Sequence, residues 1–406
     1  MAIGIVGGGQ LALMLAEAAA ELGLSLHVQT PAASDPAVVK ATAVVQAPLD
    51  DIAATRQLAS SCRAISFENE WVDVAALSLL EYEGVRFVPD LTCLAELVSK
   101  RRQRQLLNRL NLPAPRWCGL EAVLTQEQLG CADSDDGPDA EPAPDLVPTP
   151  RLPEGFEFPL MAKASSGGYD GKGTRLLKGS EDLDTLLKQV EPDTWILEER
   201  VAFELELAQL ACRDRHGKVH CYPLVQTHQH QQVCDWVLAP AGVPHAVQAY
   251  ARNIATSLLT GLQYVGMVAI ELFYGPAGLQ VNEIAPRTHN AGHFSIEACS
   301  TSQFAQQLRI VAGLPMGSTD LTLPGALMVN LLGFDPEPGP LLEARQGLEA
   351  LGGATLHWYG KQGPCLGRKL GHITLALRAT SPQDRMDEAM QRLAEVRRLW
   401  PLLSQG

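Results

Sequence analysis

The 406-residue sequence predicts an α/β protein with two or three domains. Three observations lead to this fold class. Short apolar runs alternate with helical segments over residues 1–98, which is the pattern of a parallel sheet. Strand-like runs then dominate residues 158–287, and short strands recur after Gly325. The chain is also longer than a single hydrophobic core usually supports.

The first 98 residues open on a glycine turn between a strand and a helix. The predicted elements are a strand at 3–6, a helix at 11–22 and strands at 24–30, 63–68 and 85–90. Gly7, Gly9 and Ala12 satisfy a loose dinucleotide fingerprint, which also needs an acid closing the second strand. Gln29 and Thr30 stand there instead, so a tight turn that serves the fold is the better interpretation.

A basic helix predicted over 94–110 opens the middle of the chain. Its cluster of Lys100, Arg101, Arg102 and Arg104 is typical of a solvated face, although one or two of them could reach an anion at a domain seam. The elements predicted after it are strands at 158–165, 174–179, 194–201, 204–213 and 216–228, helices at 246–261 and 295–314, a hairpin at 266–287 and a last helix capped by Ser381.

Composition narrows the class of protein. The formal charge of −14 disfavours nucleic acid as a partner, and no apolar run is long enough to span a membrane. Nine scattered cysteines without a C-x-x-C pair indicate a reducing, cytoplasmic compartment. Residues 131–150 hold six acids and five prolines, which predicts a disordered surface insertion without a required function.

A glycine-rich segment, KASSGGYDGKGT, lies at residues 163–174. It is not a P-loop, because Gly167 and Gly171 are one residue too close together. A glycine-rich turn between antiparallel strands allows backbone N–H groups to close over phosphates, and Lys163 could neutralise one of them. A flexible hairpin tip is the alternative interpretation.

Two acids lie on the predicted hairpin. With a five-residue loop at 275–279, Glu271 and Glu283 would face each other, and Mg²⁺ between them would reverse their repulsion. A four-residue loop would instead pair Glu271 with Asn282, itself a plausible oxygen ligand.

Two further polar segments follow this hairpin. In EIAPRTHNAGH, the groups Arg287, His289, Asn290 and His293 stand next to the acids, and an arginine suits a planar anion such as bicarbonate. In HWYGKQGPCLGRKLGH, a glycine-rich turn gathers basic side chains into a candidate anion site: Lys361, Arg368 and Lys369.

These segments, in this order, resemble the ATP-grasp ligases and, more narrowly, the N5-carboxyaminoimidazole ribonucleotide synthetases of purine synthesis. The resemblance runs from GIVGGGQLALML to GRKLGH. It implies an α/β protein that contains the α+β ATP-grasp fold. Its domains would be a Rossmann-like domain at 1–98, an ATP-grasp domain at 99–317 with a mobile lid at about 115–200, and a small β-rich domain at 318–406. It also implies that ATP, Mg²⁺, bicarbonate and 5-aminoimidazole ribonucleotide are bound. A homodimer is implied as well, and association with a downstream mutase stays open.

The resemblance also implies roles for individual residues. Arg287, His289, Asn290 and Lys163 would be catalytic, with Arg287 orienting bicarbonate, and Glu271 and Glu283 would hold Mg²⁺. ATP would be contacted by Lys100, Lys163, Gly167, Gly168, Gly171, Lys172, Gly173, Glu198, Glu199, Arg200, Val201, Glu206, Asn282 and Glu283. The ribonucleotide would be bound by Gly9, Gln10, Leu11, Tyr169, Asp170, Lys172, Lys361 and Arg368.

The sequence departs from the family pattern at three positions. Lys100 replaces an arginine and loses its planar fork, Ala12 replaces a glycine, and Gln229 stands where the family has a histidine. Three rival functions stay open: another ATP-grasp purine-precursor ligase such as a formate-dependent glycinamide ribonucleotide transformylase, an NAD-dependent oxidoreductase, and a non-catalytic nucleotide sensor.

Overall fold

The computed structural model describes residues 1–124, 152–167 and 173–402. The insertion at 131–150 and five predicted site residues of the glycine loop lie outside those ranges: Gly168, Tyr169, Asp170, Gly171 and Lys172. The described chain contains one parallel sheet and two antiparallel sheets, which confirms the mixed α/β class. None of its helices is both long and apolar enough to cross a membrane.

A four-stranded parallel sheet, in the order β3-β2-β1-β4, forms the first part of the chain. Its elements are β1 Ala2–Val6, α1 Gln10–Glu21, β2 Ser25–Thr30, β3 Ala43–Gln46, α2 Ile52–Ser60, β4 Ile65–Phe67, α3 Val74–Tyr82 and α4 Leu91–Leu97. The predicted strand at 85–90 is wrong: only Phe87 makes a single bridge, and Pro89 has no N–H to extend it. Strand β3 was not predicted, because this mostly exposed edge strand lacks a buried apolar run.

A second, antiparallel sheet lies within the region predicted as the lid, in the order β5-β8-β6-β7. We call it the lid sheet. The elements of this region are α5 Lys100–Arg109, β5 Trp117–Gly119, β6 Leu160–Ala164, β7 Thr174–Leu177, α6 Ser180–Leu187 and β8 Trp195–Glu199. The single helix predicted over 94–110 is instead two helices, because the Ser99 side chain accepts a hydrogen bond from Arg102 N and starts a new helix there. This new start places Lys100 and Arg104 one turn apart on α5.

The third sheet has nine strands and is the centre of the molecule. Its main path runs β14-β13-β9-β11-β12-β15-β17-β16, with β10 paired to β9. The elements are β9 Leu205–Arg213, β10 Val219–Cys221, β11 Val225–His230, β12 Val233–Ala239, α7 His245–Gly261, β13 Gly266–Gly275, β14 Gly278–Ala285, α8 Ser295–Ala298, α9 Gln303–Ala312, β15 Gly325–Leu332, α10 Pro338–Glu349, β16 Ala354–Trp358, β17 Lys369–Leu377 and α11 Pro382–Leu399. The C-terminal strands therefore extend the central sheet rather than forming a sheet of their own.

The structure corrects two further sequence predictions. The strand predicted over 216–228 is two strands with Pro223 between them, and the helix predicted over 295–314 is interrupted where Ser302 caps α9.

Buried polar contacts join the first sheet to the central one: Gln307 of α9 donates to Ser66 Oγ at 2.9 Å and accepts from Met267 N at 2.7 Å. The carboxyl ends of β1 and β4 thereby face the β13–β14 hairpin.

Candidate active site

A buried group of charges connects the lid sheet to the central sheet. Glu198, near the end of β8, accepts a hydrogen bond from Arg104 Nε at 2.6 Å and lies 2.7 Å from Lys163 Nζ. Lys163 also donates to Asn282 Oδ1 at 3.0 Å, and Arg104 Nη2 donates to the Asn282 backbone oxygen at 2.6 Å. The lid strands, α5 and the hairpin therefore meet around one carboxylate. We call Lys163, Glu198 and Arg104 the ionic bridge.

Because they are buried, the three charges of the ionic bridge depend on one another. The side chains of Glu198 and Arg104 are each 2% exposed. Burial by itself raises the pKa of Glu198, but the charges of Lys163 and Arg104 outweigh it and lower that pKa to about 2. Burial lowers the pKa of Lys163, and Glu198 opposes that shift. A carboxylate in this position needs both cations, because an unpaired buried charge is strongly destabilising.

The β13–β14 hairpin places Glu271 opposite Glu283, as predicted, but neither predicted loop length is correct. Gly275 pairs with Gly278, so the turn itself contains only two residues. That register alone would pair Glu271 with Asn282. A β-bulge inserts Asn282 as an extra residue and brings Glu283 opposite Glu271.

Polar groups surround this acid pair. Lys100 Nζ lies 2.7 Å from Glu283 Oε1, and His289 Nε2 lies 3.4 Å from Glu271 Oε1. Asn282 Nδ2 donates to Glu271 Oε2 at 3.3 Å. Burial, and then the charge of Glu283, raises the pKa of Glu271 to about 7. A buried acid whose ionisation is hindered by a second carboxylate opposite it is an arrangement that a divalent cation stabilises.

The donor set suits Mg²⁺ that is shared with a phosphate ligand. No three His, Cys, Asp or Glu side chains are grouped to hold a metal in the described ranges. Mg²⁺ commonly takes one or two carboxylates and completes its octahedron with substrate phosphates and water. Glu271 and Glu283 fit that pattern, and they remain the predicted ligands.

Arg287 crosses the seam between the central sheet and the first sheet. Its Nε and Nη2 donate to the two carboxylate oxygens of Glu70 at 2.5 and 3.2 Å, and its Nη1 donates to Thr288 O at 3.1 Å. Burial lowers the pKa of Arg287, but Glu70, together with the charges of Glu283 and Glu68, raises it above the usual value. A guanidinium has five N–H donors, so two remain for another anion.

His289 and Asn290 are held in defined orientations. His289 Nδ1 accepts from Ala291 N at 3.3 Å, so the neutral ring carries its proton on Nε2, toward Glu271. Burial, followed by the charge of Arg287, lowers the pKa of His289 to about 3. The Asn290 amide exchanges two hydrogen bonds with Asn330 of β15, at 2.9 and 2.7 Å.

His293 does not join this site. It is fully buried, and its ring centroid lies 4.7 Å from that of His372 and 5.7 Å from that of Phe304. Burial lowers the pKa values of His293 and His372 well below the usual range. The expectation that His293 stands beside the metal position is therefore wrong, because its side chain packs in the core.

The glycine turn after β1 surrounds a carboxylate of the protein itself. Glu68 accepts hydrogen bonds from the backbone N–H groups of Gly9 (2.6 Å), Leu11 (3.1 Å) and Ala12 (3.4 Å). A Cβ at Gly7 or Gly9 would lie 2.5 Å from Glu68 atoms. Glu68 thus occupies the start of α1, where dinucleotide folds place a pyrophosphate, and the NAD alternative has no phosphate site here.

Four other predicted residues of the described ranges have informative surroundings: Glu199, Glu206, Lys361 and Arg368. Glu199 N already donates to Arg116 O at 3.0 Å, so only its carbonyl stays available at the predicted adenine position. Burial raises the pKa of Glu206, which lies near enough to Glu271 to raise the pKa of that acid too. Arg368 Nη1 donates to two carbonyls of its own loop, and Lys361 Nζ lies 5.6 Å from the Tyr359 ring centroid.

Four functional candidates were missed by sequence reasoning: Glu68, Glu70, Arg104 and Asn330. Arg104 stood in a basic cluster that was interpreted as solvated, yet it is buried. Its four-residue spacing from Lys100 was an available signal, since helix residues so spaced share a face. Glu70 gave no local signal, because its partner Arg287 is 217 positions away.

Comparisons with known proteins agree with this geometry. Three family models match: a ribonucleotide synthetase preATP-grasp domain at residues 1–96, an ATP-grasp domain at 145–304 and a phosphoribosylaminoimidazole carboxylase C-terminal domain at 326–382. The N5-carboxyaminoimidazole ribonucleotide synthase of Synechococcus elongatus is 48% identical to this chain, in an alignment that covers 98% of this chain and 95% of that protein.

Solved structures of N5-carboxyaminoimidazole ribonucleotide synthetases are similar to this chain as well. The N5-carboxyaminoimidazole ribonucleotide synthetase of Thermus thermophilus superposes with a TM-score of 0.81 and 32% identity over all of both chains. The Aspergillus clavatus enzyme, solved with ADP and 5-aminoimidazole ribonucleotide, has a TM-score of 0.81 and 27% identity over 98% of each chain.

A lid sheet, a central antiparallel sheet and a cleft of acids and cations between them define an ATP-grasp enzyme. Within that class, the chain belongs to the N5-carboxyaminoimidazole ribonucleotide synthase family.

Replacement of Arg104 tests the ionic bridge. Arg104→Leu leaves Glu198 with one cation, and we expect the free energy of unfolding to fall by about 3–5 kcal/mol. Arg104→Lys keeps the charge but cannot reach both Glu198 and the Asn282 oxygen, so it should recover only part of that loss. Urea denaturation provides the measurement, and Arg102→Leu, an exposed position on the same helix, is the control. Equal losses of unfolding free energy in Arg102→Leu and Arg104→Leu would contradict the ionic bridge.

The buried histidines predict acid sensitivity. Because the native pKa values of His293 and His372 are depressed, the unfolded chain binds protons below about pH 6.5 that the native chain does not. Stability should therefore fall with decreasing pH by about 1.4 kcal/mol per unit for each ring. His372→Phe should remove one such contribution between pH 6.5 and 5 in urea denaturation, and the exposed His216→Gln should not. If the free energy of unfolding depended on pH as steeply in His372→Phe as in wild type, the His372 ring would not stay neutral in the native protein.

Proposed function

We propose that this chain carboxylates 5-aminoimidazole ribonucleotide with bicarbonate and ATP, giving N5-carboxyaminoimidazole ribonucleotide, ADP and phosphate in purine biosynthesis. The observation that carries the proposal is the facing pair of Glu271 and Glu283, with Lys100 and Arg287 beside it, at the seam of lid and central sheet. The names of the relatives supply the substrate. The Aspergillus clavatus complex with ADP and 5-aminoimidazole ribonucleotide supports both ligands.

The first step would transfer the γ-phosphoryl group to bicarbonate. A bicarbonate oxygen attacks the phosphorus, the bond to ADP breaks, and carboxyphosphate forms. Mg²⁺ held by Glu271 and Glu283 would supply charge neutralisation at the phosphates. Lys163 would contact a phosphate from the lid, and Lys100 would exchange its contact with Glu283 for a phosphate oxygen. Binding would thus exchange the existing ion pair of Lys100 with Glu283. Lys163 would keep Glu198, because an ammonium has three N–H donors.

Arg287 is suited to orient bicarbonate. Glu70 and Thr288 O take three of its five N–H groups, so the other two can meet the oxygens of a planar anion. His289 adds an uncharged Nε2–H donor, and Asn330 holds Asn290 beside it. These groups would steady carboxyphosphate without a proton transfer of their own.

The second step would join the carboxyl carbon to the amine of the ribonucleotide. The carboxyl–phosphate bond breaks, the new C–N bond forms, and the released phosphate accepts the amine proton. Lys361 and Arg368 would bind the ribonucleotide phosphate, with Gly9, Gln10 and Leu11 along its border. Tyr169, Asp170 and Lys172 would complete that site from the glycine loop.

Three finer inferences belong to this proposal. Bicarbonate as the carboxyl donor rests on the family resemblance and on the free donors of Arg287, a cytoplasmic location on the resemblance and the scattered cysteines, and a homodimer on the resemblance alone. Association with a downstream mutase stays open. The domain limits at residues 98 and 317, with the lid at about 115–200, likewise remain our division of the chain.

Product analysis with labelled bicarbonate tests the reaction. We expect full turnover, measured as ADP release and label in the product, only when 5-aminoimidazole ribonucleotide, bicarbonate and Mg²⁺ are all present. ADP release that depends instead on formate and glycinamide ribonucleotide would overturn the assignment in favour of the rival ligase.

Replacement of Glu283 tests the metal position. Glu283→Gln should lower turnover by on the order of 100-fold or more, because one anionic Mg²⁺ ligand is lost. The fold should survive, since the change also removes repulsion between Glu283 and Glu271. Steady-state kinetics and thermal unfolding measure the two effects, with the exposed Glu349→Gln as the control. Near-normal turnover in Glu283→Gln would show that the metal is held elsewhere.

A further inference from the structure

A polar pocket, separate from the active-site cleft, lies at the end of the first sheet where its strands β1 and β4 begin. The active site lies beyond the opposite, carboxyl ends of these strands. Its volume is about 300 Å³, and its lining includes Arg56, Ser60, Arg63, Glu83 and Arg86. Arg63 N donates to Ala2 O, and Arg86 O accepts from Ile65 N. The pocket therefore borders the residues at which β1 and β4 begin.

The predicted ribonucleotide border and Glu70 follow the other ends of these strands. A five-residue strand such as β1 spans about 15 Å at 3.3 Å per residue. The pocket is thus separate from the cleft that holds Glu271 and Glu283, and a group bound in it would not touch the reacting atoms.

The charge of this pocket is unusual for a protein with a formal charge of −14. Arg56 donates to both carboxylate oxygens of Glu83, at 2.8 and 2.7 Å, and so forms a neutral wall. Within the described ranges, neither Arg63 nor Arg86 forms an ion pair with a carboxylate. The only hydrogen bond of the Arg63 side chain there is to Met1 Sδ, at 3.3 Å. Two guanidinium groups therefore add uncompensated positive charge.

A third guanidinium approaches from the central sheet. Arg215 lies in the loop between β9 and β10, and in the part of the chain that the structure describes its side chain donates only to the neighbouring His216, through Nε. Burial, and then the positive charges of Arg63 and Arg215, lowers the pKa of Arg86. Like charges gathered in this way repel one another, and a bound anion reverses that effect.

We propose that this pocket binds a small phosphorylated anion. Guanidinium groups match the geometry of phosphate oxygens and can donate to them in pairs. The pocket is at the lower end of the size range for small-molecule sites, so it suits inorganic phosphate or a small phosphate ester better than a whole nucleotide.

Thermal unfolding with inorganic phosphate as the probe tests the site. The protein is first saturated with Mg²⁺, ADP and 5-aminoimidazole ribonucleotide, so that any phosphate contribution at the active site is common to all variants. Wild type is compared with the double variant Arg63→Gln/Arg86→Gln and with Arg378→Gln, an exposed arginine on the C-terminal part of the chain. Sodium chloride at matched ionic strength controls for screening.

We expect phosphate to raise the melting temperature of wild type and Arg378→Gln saturably, by about 2 °C more than in the double variant. Without phosphate, the double variant should melt at the same temperature as wild type or higher, because repulsion is removed. Equal phosphate shifts in all three proteins, or an equal shift with sodium chloride, would overturn the proposal. A lower melting temperature of the double variant without phosphate would show that the arginines are structural, and would overturn it as well.

Discussion

The buried carboxylate of Glu198 is the contact on which the rest of the site depends. It lies near the end of a lid strand, and it is stable there only because Lys163 and Arg104 compensate its charge from two other elements. The same two cations hold Asn282, the bulge residue of the hairpin. Separating the lid sheet from the central sheet would therefore expose or unpair a charge.

Most charged side chains of the cleft are compensated by other side chains of the protein. Lys100 pairs with Glu283 and Arg287 with Glu70, so each group that would meet ATP or bicarbonate has a partner of opposite sign within the protein. ATP would then take the place of Glu283 at Lys100, and bicarbonate would use the two N–H groups of Arg287 that Glu70 and Thr288 O leave available. The exception is Glu271, because burial and then the charge of Glu283 raise its pKa.

Much of the fold could be predicted, because periodicity is a local property. The alternation of strands and helices over 1–98 and the paired acids of the hairpin were both visible in the sequence. The errors arose where one residue changed the local geometry. Ser99 starts a new helix with its side chain, Pro89 ends strand pairing after Phe87, and Asn282 shifts the register by one residue. None of these effects is set by hydrophobic periodicity.

The sequence by itself determined the class of fold, the family and the residue types of the cleft, since motifs and apolar periodicity depend on neighbours along the chain. Only the tertiary structure decided which charges meet. Glu70 reaches Arg287, Glu68 fills the glycine turn, and His293 enters the core instead of the site, because partners distant in sequence are selected by how the three sheets pack. Burial then determines which of these groups keep their charge, and burial exists only once the chain is folded.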